Sequence, residues 1–134
     1  MVVVGTMASM IFSLRDENRR LRASLKQDKD AVYVLCRFDL NDDADISDYI
    51  AKTQAVVPLV RAENGCQMYS LLADAKTDWE KPQRFGERTL WMVEKWSSID
   101  ALKAHIEAPH MKAFGPTVRP MRKSGTFHVL QEVR

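Results

Sequence analysis

The sequence predicts an α+β domain that follows an N-terminal helical arm. Three observations lead to this class. Four short segments rich in β-branched and aromatic residues are typical of strands, and two segments with apolar residues at three- and four-residue steps are typical of amphipathic helices. The two middle strands follow each other with no helix between them. A chain of 134 residues is long enough for one such domain with its own core.

The four predicted strands cover residues 31–40, 66–73, 89–96 and 124–132. The first strand, AVYVLCRFDL, is apolar on both faces, which predicts that both faces are covered. A long polar connection over residues 74–88 joins the second strand to the third. Because no helix intervenes, these two strands are expected to pair in antiparallel orientation.

The two helices predicted between the strands cover residues 46–62 and 98–107. Asp45 is a suitable N-cap for the first helix, since its carboxylate can accept bonds from free backbone N–H groups. Asn64 and Gly65 supply the left-handed conformation that ends that helix. A further short helical piece is expected over residues 110–115.

The resulting order, strand-helix-strand-strand-helix-strand, is the ferredoxin-like order. Two helices can cover only one face of a four-stranded sheet. The second strand places Tyr69 and Leu71 on one side, and Met68 and Leu72 on the other. The uncovered apolar face therefore needs a partner. A second copy that stacks its sheet on the first would form a dimeric α/β barrel, and we expect a homodimer.

The arm over residues 1–30 is expected to stand outside the domain formed by residues 31–134. Its first 14 residues are apolar and uncharged. They are too few for a membrane span and lack the basic start of a secretory signal. Residues 13–30 place a thin leucine stripe among many charges, which predicts a solvated helix. We expect the apolar part of the arm to contact another subunit.

Composition excludes several function classes. The chain has 20 basic and 18 acidic residues, and this near balance argues against a nucleic-acid binder. No segment predicts a membrane protein. Cys36 and Cys66 are too few for a disulfide framework, so we expect free thiols in a reducing compartment, the cytoplasm. The sequence also lacks the common nucleotide-binding, zinc-helix and nucleophile-elbow motifs.

His105 is the strongest candidate for acid–base chemistry. Leu102, His105 and Ile106 share the apolar face of the second helix, so the imidazole is predicted to point toward the sheet. A histidine in an apolar pocket can act as a general base near neutral pH, and a core histidine bonded to a neighbour fits the pattern equally well. His110 could cap the short helix or lie at the pocket mouth. Only Glu107 could complete a ligand set with the two histidines, so no metal site is predicted.

Glu94 lies in an otherwise apolar strand, on the same face as Met92 and Trp96. A buried carboxylate is costly unless it is paired, so a partner is expected, and Arg37 on the first strand is one possibility. A structural ion pair and a role in a pocket fit this position equally well.

Large aromatic side chains on the central strands could stack on a flat aromatic substrate, although strand aromatics more often fill a core. The candidates are Tyr69, Trp91 and Trp96.

An ordered set of short motifs resembles the antibiotic biosynthesis monooxygenase (ABM) family. The segment that ends the first helix and enters strand two is similar to the family pattern through Glu63-Asn64-Gly65-Cys66 and Tyr69. The third strand and the helices after it are similar through Glu94-Lys95-Trp96, Ser98, Ala101-Leu102, His105, His110-Met111 and Phe114. The resemblance covers residues 31–133.

The resemblance implies a dimeric α+β barrel with a pocket between the sheet and the helices of each subunit. It implies a cofactor-independent monooxygenase that oxidises a small quinol- or anthrone-like molecule with molecular oxygen. His105 would be the base or orienter, and Glu94, Tyr69 and His110 would support it. The substrate-binding residues implied are Trp91, Trp96, Arg37 and Phe114.

Other activities of the family are weighed on the same residues. A haem-degrading branch has asparagine, tryptophan and histidine at positions that fall near Arg37, at His105 and near Gly115, so haem degradation is not implied. Two alternatives stay open: an isomerase of a small polar metabolite that uses His105 and His110, and a non-catalytic dimeric ligand-binding or stress-response domain. A dry aromatic cleft would favour the oxidase, a polar cleft with converging histidines the isomerase, and a filled pocket the binding domain.

Overall fold

A computed structural model describes residues 3–134, without the side chains of residues 3–5 and 26–28. The chain divides into two compact units between Asp30 and Ala31. The first unit is one helix, α1 (Val3–Asp30). The helix begins ten residues before the predicted start at residue 13, because no proline or turn signal separates the apolar run from the charged one. The predictions for residues 1 and 2 lie outside the described residues.

The second unit contains all the strands and helices predicted after residue 30. Its elements are β1 (Val32–Leu40), α2 (Ile46–Arg61), β2 (Cys66–Leu72), β3 (Thr89–Trp96), α3 (Ile99–Glu107), α4 (Pro109–Val118), a 3₁₀ turn (Arg119–Met121) and β4 (Arg122–Leu130). Helix α4 is longer than the predicted piece. Gly115 and Pro116 lie inside it instead of ending it, since a proline removes one helical hydrogen bond but keeps a helical φ.

The sheet has the order β2-β3-β1-β4, and all neighbouring strands are antiparallel. The ferredoxin-like prediction is therefore confirmed. The register aligns one row of residues across the sheet: Tyr69 and Val34 both lie opposite Glu94, and Val129 lies opposite Val34. This row places Glu94 at the centre of the face that the helices cover.

The core lies between this face and helices α2, α3 and α4. Side chains from β1 alternate with period two, so Val32 and Val34 are fully buried against Val60 of α2 and Trp96 of β3. A second cluster, around Tyr49 and Leu40, closes the other end of this face. The predicted face assignment in β3 agrees with the burial pattern, in which Met92, Glu94 and Trp96 are all buried.

The outer face of the sheet is apolar and only partly covered. Met68 and Leu72 of β2 are exposed, and Trp91 of β3 contacts Phe85 from the loop before β3, with ring centroids 5.1 Å apart. The predicted homodimer would cover this face, and it stays a prediction. Cys36 and Cys66 are free thiols. Within residues 3–134, no helix combines the length and apolar character needed to cross a bilayer.

Candidate active site

Glu63 reaches the domain interior from the turn that follows α2. This turn approaches α3 closely because Gly65 has a φ of +84° and no side chain. A Cβ atom at Gly65 would lie 2.6 Å from Ser97 Oγ and 2.7 Å from Ala101 Cβ, so another residue would force the turn away. The glycine thus lets the carboxylate of Glu63 reach the last turn of α3.

Glu63 Oε2 bonds two histidines at once. It lies 2.7 Å from His105 Nδ1 and 3.1 Å from His110 Nε2. The His105 side chain is almost completely buried, whereas that of His110 is 24 % exposed. In the tautomer whose Nδ1–H donates to Glu63, His105 keeps a lone pair on Nε2, as a general base requires.

Aromatic rings hold the His105 imidazole in place. The Trp96 ring lies 4.6 Å from it between centroids and is tilted by 33°. The Tyr69 ring meets it edge to face at 5.5 Å. Because these two rings contact the imidazole from different directions, it has little freedom to rotate away from Glu63.

Glu94 is a second buried carboxylate beside this histidine. Trp96 Nε1 donates a hydrogen bond of 2.8 Å to Glu94 Oε2, and the side chain is buried. Burial raises the pKa of Glu94, and the Trp96 bond and the charge of His105 only partly oppose it. The prediction that Arg37 is the partner of Glu94 was wrong. Arg37 lies opposite Trp91, on the outer face, and forms an ion pair of 3.1 Å with Asp39.

His105, Glu94 and Tyr69 border a cavity of about 520 Å³ between the sheet and the helices. A volume of this size suits a small ligand. Its aromatic wall residues are Phe38, Tyr49, Tyr69, Phe114 and Phe127. Its charged or ionisable wall residues are Cys36, Glu94, His105, Arg119 and Arg122.

Burial suppresses ionisation of the other protic side chains on this wall. It raises the pKa of the Cys36 thiol to about 12, and the nearby charge of Glu94 adds to the rise. It also raises the pKa of the Tyr69 hydroxyl well above its ordinary range. At neutral pH neither group supplies an anion, so His105 and Glu94 are the groups on this wall suited to proton transfer.

The structure brings only part of the predicted site together. Tyr69, Glu94, His105 and Phe114 line the cavity. His110 lies outside the cavity wall and joins the cluster through Glu63. The other three predicted substrate-binding residues are placed elsewhere: Trp96 is fully buried behind Glu94 and His105, and Arg37 and Trp91 face the opposite side of the sheet.

Sequence reasoning missed Glu63 and Arg122 as site residues. Glu63 was part of a recognised motif, but a polar residue after a helix end carries no signal of burial. Arg122 is the first residue of β4, two residues before the predicted start of that strand, so it lay outside every predicted element. The alternation of β4 and its pairing with β1 could have pointed to Arg122 once the register was known.

The fold is that of a ferredoxin-like domain, and its cavity is bordered by His105 and Glu94. The model of the family described as "Antibiotic biosynthesis monooxygenase" matches residues 31–116, more than half of the chain. The chain therefore belongs to the ABM family, and the prediction from its motifs is confirmed.

Individual relatives agree with this assignment. The chain is 36 % identical over 64 residues to the probable quinol monooxygenase YgiN of Escherichia coli K12, a match over 48 % of this chain and 61 % of YgiN. The chain thus spans less than two thirds of that relative. The structure of Rv0793 from Mycobacterium tuberculosis has 27 % identity and a TM-score of 0.64, and the match covers 78 % of this chain and 96 % of Rv0793. SnoaB, a cofactor-independent oxygenase from Streptomyces nogalater, shares the fold with a TM-score of 0.63 at 12 % identity, over 78 % of this chain and 95 % of SnoaB.

Proposed function

We propose that this protein is a monooxygenase that oxidises a small hydroquinone- or anthrone-like molecule with molecular oxygen and needs no cofactor. The hydrogen bond between His105 and Glu63, at the wall of an aromatic cavity, carries the proposal. It provides an oriented base where a flat phenolic substrate would lie. The names of YgiN and SnoaB, a probable quinol monooxygenase and a cofactor-independent oxygenase, support the same chemistry.

The reaction starts with proton removal by His105 Nε2. Loss of a proton makes the substrate an electron-rich anion, which passes one electron to oxygen. The substrate radical and superoxide then form a C–O bond. When the O–O bond breaks, one oxygen atom stays on the substrate and the other leaves as water with the two hydrogens that the substrate loses. The substrate is oxidised by four electrons, and oxygen is reduced by four.

The neighbouring groups position the base and complete the wall. Glu63 fixes the tautomer of His105 and stabilises the imidazolium that forms after proton transfer. His110 shares the same carboxylate oxygen and holds Glu63 in place. Glu94 lies on the same wall beside His105, and burial raises its pKa, so it is a second group placed for proton exchange with the substrate. Tyr69 and Phe114 supply flat surfaces for the substrate ring.

Homodimerisation through the outer face of the sheet is part of the proposal, because that face carries exposed apolar residues in the single chain. Free thiols also fit a reducing compartment such as the cytoplasm.

The two alternative functions have less support than the monooxygenase. The isomerase requires both histidines to converge on the cavity, and His110 lies outside its wall. The non-catalytic domain would have its pocket filled by side chains, whereas the structure has a cavity of about 520 Å³.

The test is oxygen uptake by the purified, metal-free protein with a panel of reduced quinols and anthrones. We expect uptake well above the spontaneous rate, and a loss of about 10²-fold or more in His105→Ala, the range for a general base. Glu63→Gln should lose less, because the base remains but its tautomer is no longer fixed. With ¹⁸O₂, one labelled atom should enter the product.

His128→Ala is the matched control, because His128 lies on β4 away from the cavity wall. It should keep the wild-type rate. Uptake at the spontaneous rate for every compound would contradict the monooxygenase for this panel. An equal rate in His105→Ala and wild type would contradict the role of His105.

A further inference from the structure

The cavity carries a positive charge at the end away from His105. Glu94 lies opposite Val34 of β1, whereas Arg122 lies opposite Leu40. The Arg122 side chain returns along the sheet from that position, because its guanidinium lies over the Phe38 ring, two residues nearer to Val34. Arg122 and Glu94 line the same cavity, so its wall carries a cation and a carboxylate at separate places.

Arg122 is fixed by aromatic contacts and not by an acidic partner. Its Nε donates a hydrogen bond of 2.9 Å to the Tyr49 hydroxyl, and its guanidinium lies over the Phe38 ring at 3.7 Å from the centroid. No carboxylate among the side chains that the structure describes forms an ion pair with it. The side chain is partly buried, so its terminal N–H groups are held in a fixed direction without a counter-charge.

A second arginine borders the same cavity. Arg119, in the turn before β4, lies across Gly115 of α4, where an added Cβ would come within 2.8 Å of Arg119 Nη2. The missing side chain at Gly115 leaves the space that this guanidinium occupies. Because Arg119 is exposed, its charge adds to that of Arg122 at the opening and not in the interior.

The wall offers little negative charge against these two cations. Among the described residues, Glu94 is the only carboxylate on this wall, and burial raises its pKa. Between the two ends the wall is formed by aromatic and apolar side chains, among them Phe38, Phe114 and Phe127. A ligand that matches this surface has a flat apolar body and one anionic end.

We propose that the cavity selects aromatic carboxylates: the carboxylate binds Arg122, and the ring edge with the acidic proton lies at His105. The inference rests on the proposed function, because it assigns a substrate class to the same site. A carboxylate is the anion that a planar guanidinium binds through two parallel hydrogen bonds. Arg119 strengthens the field that draws the anion in.

The test measures binding without turnover, by titration calorimetry of 2-naphthoate and its uncharged analogue 2-naphthamide. The wild-type protein should prefer the carboxylate by about tenfold or more, in line with a charge-assisted hydrogen-bond pair. Arg122→Gln should abolish the preference, and Arg122→Lys should keep part of it. Lys123→Gln removes the same charge from the neighbouring exposed residue and should leave the preference unchanged.

Arg119→Gln provides a second variant in case Arg122→Gln does not fold, because Arg119 is exposed; it should weaken the preference by a smaller factor. Equal affinity of the wild-type protein for the two naphthalenes would overturn the inference, and so would a preference that survives in Arg122→Gln. Tighter binding of 2-naphthyl phosphate than of 2-naphthoate would overturn the choice of a carboxylate. A carboxylate preference without any oxygen uptake would contradict the monooxygenase but support this binding site.

Discussion

The two faces of the sheet differ in whether their buried polar atoms have partners. On the face covered by the helices, the buried carboxylate of Glu94 accepts a hydrogen bond from Trp96. On the outer face, the Nε1 of Trp91 is buried, and no described residue accepts its hydrogen. Met68 and Leu72 on that outer face are exposed.

This difference shows on which side of the sheet the buried polar atoms find hydrogen-bond partners within one chain. A buried N–H without an acceptor costs about 1–3 kcal/mol, so a finished face rarely contains one. Both faces arise from the same alternation along the same strands. On the helix-covered face the buried carboxylate has a partner within the single chain, whereas the outer face leaves the Trp91 N–H without one and carries exposed apolar residues, which the proposed homodimer would cover.

The largest expected contrast is between the two tryptophans of β3. Trp96→Ala should lower the free energy of unfolding by about 3–5 kcal/mol, because it leaves a cavity in a fully buried site and removes the hydrogen-bond donor of Glu94. Trp91→Ala should cost clearly less in the monomer, since Trp91 is only partly buried and its indole N–H has no partner to lose. Urea unfolding at low protein concentration measures both. Equal losses of unfolding free energy in the two variants would contradict this difference between the two faces.

A charge on the outer face tests the proposed homodimer. Leu72→Glu places a carboxylate among exposed apolar residues and should raise the dimer dissociation constant by about tenfold or more, because two like charges would be buried together. Leu59→Glu is the control, since Leu59 is similarly exposed but lies on α2. Sedimentation at several concentrations should show twice the chain mass for wild type and control. A monomeric wild-type protein would contradict the dimer.

Two carboxylates on opposite faces should respond to pH with opposite sign. The pKa of Glu94 is raised, so its contribution to stability is present below its ordinary value of 4.5 and is lost as the pH rises through the folded-state value. Hydrogen bonds from Thr89 and Arg37 lower the pKa of Asp39, so its contribution is present above its ordinary value of 3.8 and is lost as the pH falls.

The comparison uses urea midpoints of wild type, Glu94→Gln and Asp39→Asn between about pH 3 and pH 8. The stability of wild type relative to Glu94→Gln should fall as the pH rises, and its stability relative to Asp39→Asn should rise. Parallel trends in the two variants would show that the faces impose the same environment on a carboxylate.

The last prediction concerns the reactivity of the two thiols, one on the helix-covered face and one at the start of β2. With a pKa of about 12, Cys36 should be thiolate in only about one molecule in 10⁴ at pH 8. Native Cys66→Ser protein should therefore react with a disulfide reagent far more slowly than the same protein in urea. Cys36→Ser should react faster when native, because Cys66 is less buried. Rapid labelling of native Cys66→Ser would show that the helix-covered face opens readily.

Local patterns predicted the fold better than the site. Alternation along β3 identified its two faces, and the missing helix before β3 predicted its antiparallel pairing with β2. The bond between Glu63 and His105 joins residues 42 positions apart, and no local pattern encodes such a distance. The pairing of Glu94 with Arg37 failed because it required the register: Arg37 lies opposite Trp91, three residues from Glu94.

The stacking of His105 on Trp96 has a spectroscopic consequence. An imidazole 4.6 Å from an indole lies inside its ring-current field, so the carbon-bound ring protons of His105 should be displaced from their random-coil frequencies. The chain has only three histidines, which makes these resonances simple to assign. The chemical shifts of these protons therefore report whether α3 is packed against the sheet. These shifts can follow assembly of the site in real time, without substrate and without a label.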